Sequence, residues 1–260
     1  LTALLWLISY GARSAPLTIT FLDVGEGEAI FIRNGNYTAL VDSGNAMTGF
    51  RVKAFLRSQG VSELDTTLIT HPHLDHMSGI FHLLPGFELG TRYDNGQALP
   101  VGDIYRWYQA FFRSGDYHVL ATSDELHMED AQLTVLNSTL DGRTSLNRNS
   151  LVLRITHGEI TMLLMGDADA TVEQDLLEKG AGLKAQLLKT GHHGSIDSSS
   201  NSFLDAVAPD YAVISTDRDN IRGYPSAEVL KRFAERNISI LATYEQGNIT
   251  FHSDGKILTR

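Results

Sequence analysis

Five of the chain's ten histidines fall in two short runs. The first is Thr70-His71-Pro72-His73-Leu74-Asp75-His76, an H-x-H-x-D-H cluster. Imidazole and carboxylate are nitrogen and oxygen ligands suited to Zn²⁺, Mn²⁺ or Fe²⁺. Four such groups within six residues cannot easily all reach one ion. They can divide, His71 and His73 toward one metal and Asp75 and His76 toward another. Pro72 stiffens the turn and biases His71 away from helix. A second run, Met162–Asp169 (MLLMGDAD), puts Asp167 just past the end of an apolar strand, where a carboxylate can bridge two metals about 3.5–4 Å apart. The third, Leu187–Ser195 (LLKTGHHGS), ends a strand in a glycine-flanked pair, His192-His193. One of the pair can ligate while the other supports it or touches substrate. Lys189, just before this turn, can pair with a phosphate oxygen or a leaving group, or simply be solvated. Asn149, Ser150 and Ser195 are hydrogen-bond donors at strand ends, for substrate or for the turns themselves.

These runs need strands to present them. Leu17–Val24, Ala29–Arg33 and Tyr37–Asp42 are short apolar or β-branched runs broken by Gly25, Gly27 and Asn34-Gly35, which are turn signals. Thr66–Thr70 (TTLIT) is a buried-type strand leading directly into His71. Gly49–Ser58 reads as an amphipathic helix with Phe50, Ala54 and Phe55 on one face and Gly60 as its stop. The second half repeats this style. Strands are expected at 132–137, 151–157, 160–165, 185–189, 211–215, 238–243, 248–252 and 256–259, with helices at 171–179, 203–208 and 226–236. The stretch 86–130 is less regular. Within it, Asp103–Arg113 carries aromatics at helical spacing, a stripe suited to core packing or to the rim of a cleft. Without a low-complexity linker, residues 16–260 read as one domain of two β-rich halves with helices outside, an α/β sandwich of two sheets face to face. A doubly wound sheet is the alternative.

Composition narrows the chemistry. The chain has 260 residues and no cysteine, which excludes thiolate metal sites, disulfide scaffolds and cysteine nucleophiles. Its net charge of −10 (21 Lys+Arg against 31 Asp+Glu) argues against a wide electrostatic grip on nucleic acid. It leaves room for chemistry on a phosphate held by bound cations. The apolar segment Leu1–Tyr10, followed by Gly-Ala-Arg-Ser-Ala at 11–15, reads as the remnant of a signal peptide or of a membrane segment, with a buried cytoplasmic segment as the alternative. Export or membrane attachment is the localisation expected from it.

Taken together, FLDVGEGEAIFI, LVDSG, ITHPHLDHMSGI, NSLVLRI, LLMGDAD and LLKTGHHGS resemble the metallo-β-lactamase superfamily, in particular the hydrolase domain of ComEC-type DNA-uptake (competence) proteins and their free-standing relatives. The resemblance runs from about Leu17 to the C-terminus. It implies a four-layer αββα sandwich with a dinuclear site at one edge, holding two divalent ions, zinc or manganese. It implies that His71, His73, Asp75 and His76 are ligands, Asp167 the bridging carboxylate and Asp42 an acidic support. His192 is preferred over His193 as the late ligand. Asp75 can also orient the nucleophile or take a proton. Where lactamases place a further histidine, this chain has Arg148-Asn149-Ser150-Leu151, and where competence-type relatives often have Gly-His-Pro it has Gly223-Tyr224-Pro225. The missing histidine lowers the expectation of lactam hydrolysis. The favoured activity is therefore metal-dependent phosphodiester hydrolysis, as a phosphodiesterase or nuclease in which water activated by the metals attacks. Single-stranded DNA is a candidate substrate, and no stable membrane insertion of residues 16–260 is expected. The alternatives are hydrolysis of a small ester (a choline phosphoester, a lactone or a β-lactam) and a non-catalytic metal-binding accessory of DNA uptake.

Overall fold

Alternate residues of the central strands belong to different hydrophobic layers. Leu17, Ile19, Phe21, Ile30 and Ile32 pack into one buried cluster with Met162, Leu164 and Leu153, whereas Phe31 and Leu40 turn the opposite way into a second cluster. Leu163 and Val152 turn into a third. A strand's side chains alternate between faces, so strands apolar at nearly every position must be covered on both sides. The computed structural model, which describes residues 16–138 and 145–260, shows how this is met. The apolar segment at residues 1–15, read as a signal-peptide or membrane-segment remnant, lies outside the described residues.

The first sheet is built from β1 (Leu17–Phe21), β2 (Ile30–Asn34), β3 (Tyr37–Val41), β4 (Thr66–Ile69), β5 (Thr91–Asp94) and β6 (Tyr117–Val119). The second takes β7 (Glu125–Met128), β8 (Ala131–Asn137), β9 (Val152–His157), β10 (Ile160–Leu164), β11 (Leu187–Lys189), β12 (Tyr211–Ile214) and β13 (Ser239–Ala242). The chain then returns to the first sheet as β14 (Ile249–Ser253) and β15 (Leu258–Thr259). The strand orders are β15-β14-β1-β2-β3-β4-β5-β6 and β13-β12-β11-β10-β9-β8-β7. Each sheet is antiparallel along its hairpins and parallel from β3 through β6 or from β10 through β13. The shared interior lies between the sheets. Helices α1 (Gly49–Ser58), α2 (Leu74–Met77) and α3 (Asp103–Phe111) follow strands of the first sheet, and Val52, Leu56, Met77 and Tyr108 cover its outer face. Helices α4 (Ala170–Glu178), α5 (Asn201–Val207) and α6 (Ala227–Ala234) cover the second through Val172, Leu176, Phe203 and Phe233. A short helix, α7 (Thr243–Gln246), follows β13. The result is the four-layer αββα sandwich of the metallo-β-lactamase type, not a single doubly wound sheet.

One local reading needs correction, and two others gain detail. Helix α1 buries Val52 and Leu56, while Phe50 is 54% exposed, so its apolar stripe is rotated from the Phe50/Ala54/Phe55 face. The stretch 86–130 holds three short strands, β5 to β7, that carry no clean alternation because β5 is only partly buried and β6 mostly exposed. The aromatic stripe of α3 splits: Tyr108 and Phe112 stack in the core, while Trp107 and Phe111 stack on each other at the surface, 57% and 43% exposed.

Because β3 and β4 run parallel, their carboxyl ends lie on one side, as do those of β10 and β11. Leu151 N donates to Thr70 O at 3.0 Å, which joins the two sheets at this edge. Parallel layers of this kind place ligands beyond the carboxyl ends of their strands. No helix among the described residues is long and apolar enough to cross a membrane.

Candidate metal centre

β4 delivers the H-x-H-x-D-H turn, β10 delivers Asp167, and β11 delivers the His192-His193 turn. Donor atoms of His71, His73 and Asp167 come within 4.8 Å of one another, and so do those of Asp75, His76 and His193. In the first trio, Nε2 of His71 is 3.0 Å from Nδ1 of His73 and 3.5 Å from Oδ2 of Asp167. In the second, Nε2 of His193 is 3.5 Å from Oδ2 of Asp75. The other oxygen of Asp167, Oδ1, lies 3.2 Å from Nε2 of His76 and 3.5 Å from Nε2 of His193. Ligands sharing a tetrahedral ion at about 2.0–2.1 Å stand about 3.4 Å apart, so both trios have the spacing of coordination shells. Both oxygens of Asp167, Nε2 of His76, Nε2 of His193 and Oδ2 of Asp75 are buried and make no hydrogen bond. Buried polar atoms without partners are costly, and a cation at each trio satisfies them together. The donor set, all imidazole and carboxylate, fits zinc, manganese or iron.

The ionisation of the cluster agrees with that fit. Burial, reinforced by the neighbouring His76, pushes His71 down to about 4, which leaves its ring neutral at neutral pH. Burial also works against charge on His76, but Asp167 and Asp42 flank the ring and hold it well above the ordinary histidine value. Burial alone would raise Asp167 and Asp75. The surrounding rings, His76 and His193 for Asp167 and His193 and His76 for Asp75, hold both carboxyls well below the ordinary range.

A family model described as the metallo-beta-lactamase superfamily matches residues 22–217. The chain belongs to this superfamily. Among curated relatives, competence protein ComA of Neisseria gonorrhoeae is 31% identical over 94% of this chain and 34% of its own length. ComE operon protein 3 of Bacillus subtilis is 26% identical over 99% of this chain and 36% of its own length. The chain thus spans about a third of the length of these relatives. Among solved structures, the metallo-beta-lactamase fold protein YhfI of Bacillus subtilis superposes with a TM-score of 0.64 at 14% identity, covering 92% of this chain and 100% of that one. This likeness is one of fold.

Within this metallo-beta-lactamase framework, buried hydrogen bonds aim the donors. Asp42 accepts from Nδ1 of His76 at 2.7 Å, from Thr70 N at 2.7 Å and from Thr70 Oγ1 at 2.8 Å, so Nε2 of His76 faces the centre. Ser43 donates from N and Oγ to His76 O. Nδ1 of His193 donates to Ser215 O at 2.8 Å, which turns Nε2 inward. Such partners fix the tautomer and the ring plane of a ligating histidine. Ser150 Oγ accepts from Asp167 N at 3.1 Å. Ser43 and Ser215 escaped the sequence reading. Each follows a buried strand's end, which was their only signal.

The remaining candidates lie as follows. The second trio contains His193, the less favoured of the pair, rather than His192. Both residues adopt left-handed backbone, φ 55° and 46°, which costs of order 1 kcal/mol per residue and is retained mainly at functional sites. His192 sits at the rim, 15% exposed, with Nε2 3.8 Å from Oδ2 of Asp167 and 3.2 Å from Nδ2 of Asn147. Its ring meets Tyr224 edge-on at 5.4 Å, so the tyrosine of Gly223-Tyr224-Pro225 borders the site. Lys189 does not reach substrate: it is fully buried, with Nζ 2.5 Å from Oε2 of Glu28. Ser195 is buried as well, and it accepts from Asp197 N and Ser198 N within its own turn. Asn149, where lactamases place a histidine, is 2% exposed and accepts at its carbonyl from Nδ2 of Asn95.

Proposed function

We propose that the chain is a two-metal phosphodiesterase acting through the Asp167-centred cluster, within a single hydrolase domain spanning residues 16–260. One observation carries this reading: the buried carboxylate of Asp167 turns one oxygen to each trio, as a ligand shared between two ions does. His71, His73 and Asp167 would hold one ion, and Asp75, His76, His193 and Asp167 the other. Ions held by these residues would supply Lewis-acid activation of water and charge neutralisation at the phosphoryl group.

The chain's own residues account for the rest. Asp75 is 16% exposed at its side chain, enough to orient a nucleophile on the open side of its trio. Beside His192 a polar cavity of about 500 Å³ is bordered by Asn147, Arg148, Asp169 and Thr171. Arg148 is 43% exposed while paired with Asp169 at 2.7 Å, so its guanidinium can engage a substrate phosphate without leaving that carboxylate. Similarity to competence proteins supports DNA as the polymer, and the net charge of −10 favours short or single strands over a long duplex.

The test is metal analysis with activity on bis-p-nitrophenyl phosphate, single-stranded DNA and nitrocefin, each with added Mn²⁺ or Zn²⁺. Phosphodiester cleavage that depends on the metal is expected. Efficient nitrocefin turnover with no phosphodiesterase activity under either metal would favour a small-ester hydrolase instead.

A further inference from the structure

Lys189 and Glu28 are both fully buried, and the distance between Nζ and Oε2 is 2.5 Å. They come from different halves of the sandwich. Lys189 ends β11, and its Nζ also donates to Thr190 O at 2.9 Å, the carbonyl at the start of the Gly191-His192-His193 turn. Glu28 lies in the connection between β1 and β2. Its backbone N donates to Asp75 O at 3.1 Å, and its O accepts from Gly44 N at 2.7 Å. One ammonium therefore joins the peptide that supports Asp75 to the peptide that leads into His193. Asp75 and His193 are members of one trio, contributed by the two halves of the sandwich.

The pair is a poor stability device by its own chemistry. Two charges withdrawn from water lose hydration that their mutual attraction returns only with full hydrogen bonding, and neither Oε1 nor Oε2 of Glu28 makes a hydrogen bond. Apolar residues of similar volume would serve packing as well or better. What an apolar pair lacks is a strong electrostatic contact between two loops, here from one ammonium to Glu28 Oε2 at 2.5 Å and to Thr190 O at 2.9 Å.

We infer that the Glu28–Lys189 ion pair is a positioning strut that sets the separation of Asp75 and His193 and thereby the affinity of the second metal site. This rests on the two-metal reading above. It assigns both residues a role through the ligands, not in contact with substrate.

The test compares wild type, Glu28→Asp and the volume-matched double variant Glu28→Leu/Lys189→Met. Readouts are Mn²⁺ calorimetry, the manganese electron paramagnetic resonance spectrum and the Tm of the metal-free protein. The double variant should keep the metal-free Tm while its affinity for one of two ions falls roughly 10–100-fold, the scale on which ligand-supporting groups act. At one equivalent of Mn²⁺ the variant should give the spectrum of an isolated ion. Glu28→Asp, one methylene short, should lose less affinity at the same ion, and it carries the test if the double variant fails to fold. Equal affinity for both ions in all three proteins overturns the strut. A wild type that binds a single ion refutes the two-metal reading separately. The strut is then judged on that ion's affinity, and no change in Glu28→Asp sinks it too.

Discussion

Oδ2 of Asp167 faces Nε2 of His71 at 3.5 Å, and Oδ1 faces Nε2 of His76 at 3.2 Å. One buried carboxylate thus looks toward two histidines that arise from the same turn, five residues apart in the chain. Removing it leaves imidazoles crowded together with no anion between them. Asp167→Ala should cost at least one metal per chain and lower phosphodiesterase turnover by about 10³-fold or more, the scale of losing a metal-ion contribution of several kcal/mol. Metal content by mass spectrometry checks this. Full metal content in the variant would reduce Asp167 to a turn residue.

Asp42 holds Nδ1 of His76 at 2.7 Å and both polar groups of Thr70. Asp42→Ala should weaken metal binding about 10–100-fold, because His76 loses the acceptor that fixes its tautomer and orientation. The test is a Zn²⁺ or Mn²⁺ titration. Unchanged affinity would show that packing alone orients the ring.

Metal uptake should release protons near neutral pH. In the metal-free protein Asp167 and Asp42 overcome burial and keep His76 well above the ordinary histidine value, so this ring must give up its proton before it can ligate. His71, pushed down to about 4, is already neutral and adds no proton to the count until the pH approaches that value. Affinity should therefore fall as the pH falls. Calorimetry of metal binding in buffers of different ionisation enthalpy should show about one proton released per chain at neutral pH. Enthalpies independent of the buffer would contradict this.

Gly27 has φ 131°, and a Cβ added there would meet Asp75 O at 2.3 Å. Neither contact nor backbone can relax cheaply, since the clash is with main chain. Gly27→Ala should push the metal turn away from Glu28 and lower stability by about 1–3 kcal/mol, seen as a lower Tm, together with reduced metal affinity. Wild-type values for both would mean that the turn is free to shift.

Arg148 is the cation at the rim of the polar cavity beside His192. Arg148→Ala should raise KM for single-stranded DNA about 10–100-fold, from loss of a charge-assisted bond worth about 1.5–3 kcal/mol. Metal content should not change. Steady-state kinetics at fixed Mn²⁺ decide it, and an unaltered KM would remove Arg148 from substrate binding.

Residues 71–76 were legible in the sequence because their chemistry is local. Four donors on one tight turn must lie near each other whatever the rest of the fold does. The strands that aim them were legible for a similar reason: TTLI and ITMLL, covered on both faces, are apolar runs that end abruptly in polar residues. Helix α1 followed from its apolar spacing and glycine stop, but its buried face did not, since Phe50 and Val52 are both apolar and the core beneath, with Gly49 seated against Gly79, takes Val52. The choice between His192 and His193 was likewise tertiary. Adjacent side chains point in different directions, and Ser215, from a later strand, decides which ring faces inward. Lys189 shows the same limit most clearly. A lysine before a ligand turn carries the same charge in solvent or in the core, and only the fold brings Glu28 from the other half of the sandwich to meet it. Spacing along the chain determines which groups can share a site; burial and partnership depend on what the other sheet places against them.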